Sequence, residues 1–338
     1  MERKSAQRSA VERRNLQPTL LDGMLAGLGG PRSNAFFEKA ERFIPWQGLA
    51  DSLEGIYAAH PRGGRPYWPL VTMLKCLMLQ KWYGLSDEGT EEQLCERISF
   101  RRFAGLSFHD RTPDATTIQV FRDRLRREGR ASELFEAVLG HLRANGLVLS
   151  EGTLVDATIL DAPRGTPRED GTSTGDPCAT TTAKAGQIRH GYKAHAATDT
   201  RGIITDYVFD TARVHDSRHM DPLTEAETKA VYGDSAYMDR RRQERLETKG
   251  VFCGIIQRRV RGQTELTAAQ KARNRMVSGV RAVVEHPFAW LAQMGYSRVR
   301  YRGLSRNGVD FALTAAAYNL KKAMSLACLL PAAVSAAA

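Results

Sequence analysis

The sequence predicts an α/β fold, a mixed sheet flanked by helices and preceded by an all-α N-terminal domain. Three observations lead there. From about Asn34 to Asn145 apolar residues recur at three and four spacing throughout. At Gly152 the period changes, and GTLVDATILDAP is a β-branched, apolar run closed by Pro163. Beyond it strands come first and alternate with helices only later, as a mixed sheet requires.

Taken in order, residues 1–33 begin charged and end in GLGGPRS, which predicts a mobile arm with one short helix around Leu20 to Ala26. The all-α domain, 34–148, has helical patterning over Trp68 to Leu85, Asp87 to Ile98, Asp114 to Glu128 and Ala131 to Asn145. Thr112 or Asp114 caps the third of these, whose apolar side is Ile118, Val120, Phe121 and Leu125 and whose other side carries Arg122, Arg124, Arg126 and Arg127. That basic side is either a solvated face or a DNA contact.

The second domain, 149–330, starts with the strand LVDATIL. Residues 164–187 are rich in Gly, Thr and Pro without periodicity and predict a long loop. Strands follow near Gly191 to Thr198 and Gly202 to Phe209 as a hairpin, then a short helix near Pro222 to Thr228. KAVYGDSAYMD supplies a short strand running into a turn at Gly233. A helix from Asp239 to Lys249 and a strand from Val251 to Gln257 come next. Two helices end the domain, one from about Thr267 to Met294 and one from about Gly308 to Leu329, before a low-complexity tail, 331–338.

Composition narrows the function. The 338 residues carry 49 Lys plus Arg against 38 Asp plus Glu, a net charge of +11, which favours a polyanionic partner. A basic protein that binds nothing is the alternative that charge alone leaves open. The five cysteines lie far apart with no CxxC pair and no zinc spacing, so a reduced, cytoplasmic protein is expected. The opening residues lack the apolar stretch of a signal peptide, and Trp68 to Leu85, with two lysines, suits a buried helix better than a membrane span.

Three acidic residues stand in suggestive places. Asp156 lies inside an apolar strand, where an unpaired carboxylate is costly to bury. Asp234 lies where a strand stops, the usual place for active-site groups in α/β sheets. Glu285 is placed within a long helix, in RAVVEHPFAWL. Such carboxylates suit hard divalent ions, and two ions about 3.5 to 4 Å apart activate the attacking oxygen and stabilise the leaving oxygen in phosphoryl transfer. Mg²⁺ is the expected ion and Mn²⁺ its substitute. Each residue has a plainer alternative, a cap or turn for the aspartates and an ion pair of Glu285 with Arg281 one turn earlier.

Other residues are candidates for contact with DNA, namely Lys193, His195, Arg281, Arg298, Arg300 and Arg302. Lys193 and His195 alternate on one strand and so share one face, which meets a phosphate if that face also holds the metals. His215, Asp216 and Ser217 form a loop that could reach the same cleft. His286 points about 100° away from Glu285 around the helix and is read as packing. In RVRYRGLSRN, Arg298, Arg300, Arg302 and Arg306 surround Tyr301 with Tyr296 just before, which suits phosphate contact with base stacking. Arg258, Arg259 and Arg261 add to this basic half.

With these residues in view, the chain resembles the DDE transposases of bacterial insertion sequences, in the group named for insertion sequence five. The likeness is carried by LVDATILDAP, HGYKAHAATDTRGIITDYVFDTARVHDS, VYGDSAY, VEHPFAWL, GYSRVRYRGLSRN and AAAYNLKK, and by GRPYWPLVTMLKCLMLQKWYGLSDEGTEEQL in the head region. It spans roughly residues 40 to 325.

The resemblance implies a ribonuclease-H-like mixed sheet and a catalytic triad at Asp156, Asp234 and Glu285. It also implies cleavage at the ends of a mobile element, with joining to target DNA. Double-stranded DNA, both terminal inverted repeats and target, is then the partner. Bringing two ends together implies a homo-oligomer assembled on DNA, in a bacterial cytoplasm beside the nucleoid. The family typically has Tyr, two residues, Arg, three residues, Glu, six residues, Lys around the Glu. Here Arg281 keeps its place, while Ser278 and Ala292 stand at the Tyr and Lys positions. A metal-dependent nuclease that cuts without joining, and a non-catalytic or domesticated DNA-binding protein, are the rival readings.

Overall fold

A computed structural model of the chain describes residues 31–57, 66–166, 173–184, 186–259 and 262–328. The helix expected around Leu20 to Ala26, most of the expected arm, the tail at 331–338 and Arg261 lie outside these residues. The chain divides into two compact units, one running to His141 and resuming at Ala312, the other covering Leu142–Phe311.

The first unit is built from helices α1 (Pro31–Phe43), α2 (Trp46–Asp51), α3 (Leu70–Tyr83), α4 (Asp87–Glu96), α5 (Ile98–Phe103), α6 (Ala115–Arg127) and most of α7 (Arg130–Ala144). Every residue of α3 from Thr72 to Trp82 is buried, which explains its apolar composition on all sides. None of the described helices is long and apolar enough to cross a membrane. Phe37 stacks on Phe103 with ring centroids 4.6 Å apart, and the Trp82 indole donates to the Ala317 carbonyl at 2.9 Å.

Asp114 is the residue that caps α6, accepting from the Thr117 N–H at 2.6 Å. Arg122 departs from the expected outward side of that helix. It follows Phe121 on the stripe Ile118, Phe121, Leu125 and is buried, donating to both Asp87 oxygens at 2.7 and 2.6 Å. Burial by itself raises the Asp87 carboxyl, but the bonds and charge of Arg122, with Gln80 and Lys81, hold it below its ordinary value.

The second unit holds a six-stranded sheet: β1 (Thr153–Asp161), β2 (Thr180–Lys184), β3 (Gln187–Thr198), β4 (Ile204–Thr211), β5 (Ala230–Gly233) and β6 (Phe252–Ile255). The order is β2-β3-β1-β5-β6, with β4 also paired to β3. β1 to β4 pair antiparallel, while β5 and β6 add parallel to β1, so the sheet is mixed. β2 falls inside the stretch expected as a long loop. Its Thr-rich sequence lacks apolar alternation, and it is held by pairing with β3 from Thr180–Gly191 to Lys184–Gln187. Gly191 permits this crowded crossing, since a Cβ there would fall 2.0 Å from the Leu160 carbonyl oxygen.

Four helices lie wholly in this unit beyond β4, α8 (Ser217–Thr224), α9 (Arg240–Thr248), α10 (Ala268–Arg281) and α11 (Glu285–Gln293), and a fifth, α12 (Leu304–Ala327), begins there. The single long helix expected from Thr267 to Met294 is instead α10 and α11, separated by a 3₁₀ turn at Ala282–Val284. Pro287 supplies the reason, because it has no N–H for the carbonyl four residues back and its ring crowds that carbonyl. Thr267 and Gln270 form a reciprocal capping box at the start of α10. Arg273 and Asn274 of α10 bond carbonyls at Cys253, Ile255 and Gln257, which covers the free edge of β6.

The register fixes two faces. Asp156 pairs with Ala196, so Asp156, Thr158 and Leu160 share a face with Tyr192, Ala194 and Ala196. Phe209 belongs there too, stacked on Tyr192 and packed against Phe311 at the start of α12. The opposite face carries Val155, Ala157, Lys193, His195 and Ala197. Val155 and Ala197 pack there with Met220, Leu223, Tyr237 and Leu246 of the segments α8 to α9.

Candidate active site

Two carboxylates are brought onto one face by the parallel pairing of β1 with β5. Val155 lies opposite Gly233, so Asp156 and Asp234 follow one residue later on neighbouring strands. Gly233 is the last residue of β5, and Asp234 continues in extended conformation before the 3₁₀ turn Ser235–Tyr237. Asp234 is half-buried, and no side chain among the described residues forms a hydrogen bond or ion pair with its carboxylate.

Glu285 is the first residue of α11, at the turn made by Pro287, rather than inside a long helix. A carboxylate in the first turn also suits the positive end of the helix dipole. The link between Glu285 and the sheet is Arg281, the last residue of α10. Its Nη1 donates to Asp156 Oδ2 at 2.9 Å and its Nη2 to Glu285 Oε1 at 3.2 Å. The Asp156 and Arg281 side chains are each 21% exposed, whereas Glu285 is 60% exposed. The second Asp156 oxygen, Oδ1, accepts from the Ala157 N–H at 2.8 Å. The plainer expectation for Glu285, pairing with Arg281, is therefore present, and Asp156 shares the same guanidinium.

Among the described residues no three His, Cys, Asp or Glu side chains converge closely enough to hold a metal ion. The donor set nonetheless suits a hard cation, since carboxylate oxygens are what Mg²⁺ and Mn²⁺ take. A cation already stands on two of the three: the guanidinium occupies the place between Asp156 and Glu285.

Lys193 and His195 do not join this group. They lie on the other face of the sheet, where Lys193 Nζ bonds Asp216 Oδ1 at 2.6 Å and the Val214 carbonyl at 2.8 Å. The His195 ring is fully buried with its centroid 4.5 Å from that of His219, which in turn lies 3.1 Å from Asp210. His215 Nδ1 sits 2.8 Å from the Ser217 hydroxyl. Arg242 completes this side, buried and bonded to Asp221 and to carbonyls at Ser217 and Tyr237.

Tyr237 is a residue that motif reading passed over, although it ends VYGDSAY. It is 1% exposed and its hydroxyl finds no hydrogen-bond partner among the described residues. Burial first, and then the charges of Asp216, Asp156 and Asp234, drive its ionisation far above the ordinary range. The signal that could have found it is a Tyr one 3₁₀ turn after a strand-end Asp.

The basic run is held beside the far end of β1. Asp161 accepts from Val299 N–H at 2.9 Å and donates to Ser297 at 3.0 Å, so Arg298 bridges to Asp161 as a strand would. Arg298 and Arg302 are exposed; Arg302 donates to the Gly175 carbonyl at 2.5 Å. Arg300 is half-buried over the Tyr296 ring, 5.0 Å from its centroid, and Tyr296 is itself buried with its hydroxyl donating to Asp310, so its ring is not open to a base as the sequence suggested. His286 is exposed on α11.

Among solved structures, the piggyBac transposase synaptic complex with hairpin DNA is similar over 91% of this chain and 77% of that chain, at 9% identity and a TM-score of 0.45, too distant a likeness to argue from. Residues 30–124 match the family described as Transposase domain (DUF772). Residues 149–320, more than half of the 338, match the Transposase DDE domain family, and with Asp156, Asp234 and Glu285 all inside that stretch the chain belongs to the DDE-domain transposases.

Proposed function

We propose that this transposase belongs to the group named for insertion sequence five, cutting the ends of its own element and joining them to target DNA by metal-assisted phosphoryl transfer. The observation that carries the reading is the pairing of Val155 with Gly233, which sets Asp156 and Asp234 side by side on one face. Glu285 is tied to Asp156 through Arg281. These three carboxylates would hold Mg²⁺, or Mn²⁺ in its place, and the ions would activate the attacking oxygen and stabilise the leaving one.

The remaining residues bind and orient. A sheet in which β1 to β4 pair antiparallel and β5 and β6 add parallel to β1 supports a ribonuclease-H-like core over 149–330. The helices before it support an all-α DNA-binding head over 34–148. Double-stranded DNA is the partner this implies, with the protein oligomeric when two ends are held together. Exposed Arg298 and Arg302 would follow the phosphate backbone, with half-buried Arg300 beside them.

The test pairs a pre-cleaved terminal-repeat duplex and a target plasmid with wild type and Asp156→Asn. Joined product from wild type and none from the variant, with DNA binding retained by both, is the expected result. Cutting without joining would favour a nuclease, and an unaffected variant would favour a non-catalytic DNA-binding protein.

A further inference from the structure

We infer that Arg281 is a built-in counter-ion of the carboxylate site, holding Asp156 and Glu285 until a divalent ion displaces it. The inference rests on the reading that these carboxylates bind metal. Its ground is geometric. One guanidinium spends separate nitrogens on residues that lie 125 positions apart and four positions apart from it, at 2.9 and 3.2 Å. Carboxylates gathered without a cation repel one another, and a fixed positive group is what lets them stay together.

The same contact makes Arg281 a competitor. Both Asp156 oxygens are already engaged, Oδ1 by the Ala157 N–H and Oδ2 by Arg281. A divalent ion in direct contact with Asp156 would stand beside the guanidinium on Oδ2, and repulsion between the two cations favours withdrawal of Arg281 as the ion binds. The Glu285 arm yields more readily because it is mostly exposed and screened by solvent. The half-buried Arg281–Asp156 arm is the one that sets the competition.

The position of Arg281 suits exchange. It is the last residue of α10, followed by the 3₁₀ turn Ala282–Val284, so the guanidinium can leave Asp156 without α10 or α11 having to unwind. In this role Arg281 is a positioning residue that acts on the metal ligands.

The experiment measures Mn²⁺ binding by electron paramagnetic resonance of the free ion, together with the melting temperature in chelator, for wild type, Arg281→Gln, Arg281→Lys and Asp156→Asn. Arg281→Gln should bind Mn²⁺ about tenfold more tightly than wild type, equivalent to roughly 1.4 kcal/mol, and melt earlier in chelator. Arg281→Lys, which keeps the charge but not the fork, should fall between the two and covers the case in which the Gln variant does not fold. Equal or weaker Mn²⁺ binding by the Arg281 variants, with wild-type binding that Asp156→Asn abolishes, overturns the competition while leaving the metal site standing. Wild-type binding that is undetectable, or that Asp156→Asn does not alter, overturns the metal-site reading and the inference with it.

Discussion

The two faces of the sheet in the Leu142–Phe311 unit use charge in opposite ways. On one, Asp234 has no side-chain partner among the described residues and Asp156 leans on a guanidinium at a helix junction. On the other, Lys193, Asp216, Arg242 and Asp221 are knitted into bonds that tie α8 and α9 to β3. The first face leaves carboxylates to be claimed by a ligand. The second consumes its ions in holding the fold. A charged side chain on a strand is therefore not evidence of a site until its face is known.

The largest effect that separates the faces is chemical. Asp156→Asn should lower end cleavage by about 10³-fold or more, the scale seen when a charge-stabilising group at a reacting centre is lost, with a smaller loss of stability because Arg281 keeps Glu285 as a partner. End cleavage that persists in the variant would remove Asp156 from catalysis.

The other face should respond in stability instead. Lys193→Met leaves Asp216 without its cation, and a loss of about 2 to 3 kcal/mol is expected, below the value for a fully buried pair because Asp216 retains some solvent. Denaturant unfolding measures it. The DNA reading of Lys193 predicts a different result, an unchanged melting temperature and a salt slope of binding reduced by about one.

A third, smaller effect depends on pH. Asp176 accepts from the Tyr192 hydroxyl at 2.6 Å and from the Gly303 N–H at 2.8 Å. Burial alone would raise its carboxyl, yet these bonds, the Cys178 N–H and the charge of Arg302 hold it below the ordinary value. Since the folded value lies below the unfolded one, the stabilisation is complete above about pH 5 and is lost as pH falls through the folded value. The stability gap between wild type and Asp176→Asn should stay level from neutral pH to about 5 and narrow below it. A gap that widens on acidification would reverse the assignment.

The smallest change concerns the basic run. Arg298→Gln should leave stability unaltered and reduce the slope of log affinity against log salt by about 0.9, one phosphate contact. An unchanged slope would mean that Arg298 is only a solvated residue beside β1.

Much of the local structure was legible because it depends on neighbours in the chain. The strand around Asp156, the turn at Gly233, the cap at Asp114 and the helices α3, α4, α6 and α7 followed from period and capping chemistry, whereas α1, α2 and α5 were not singled out. β2 was not legible, since Thr180 to Thr182 gain strand geometry only from pairing with β3. The break before Glu285 was partly legible, as Pro287 stood in plain view while the apolar period ran through it. Arg122 was misplaced because a charge on an apolar stripe is stable only when a distant residue, Asp87, meets it.

By itself, the sequence determined the α/β class, the alternation that puts Lys193 and His195 on a common face, and the three carboxylates inside their motifs. Only the tertiary structure decided which face that was, that Asp156 and Asp234 share the opposite one, and that Arg281 stands between Asp156 and Glu285. The reason is physical. Alternation along a strand fixes relative orientation, but the register with a neighbouring strand and the closing of a helix over it fix absolute placement.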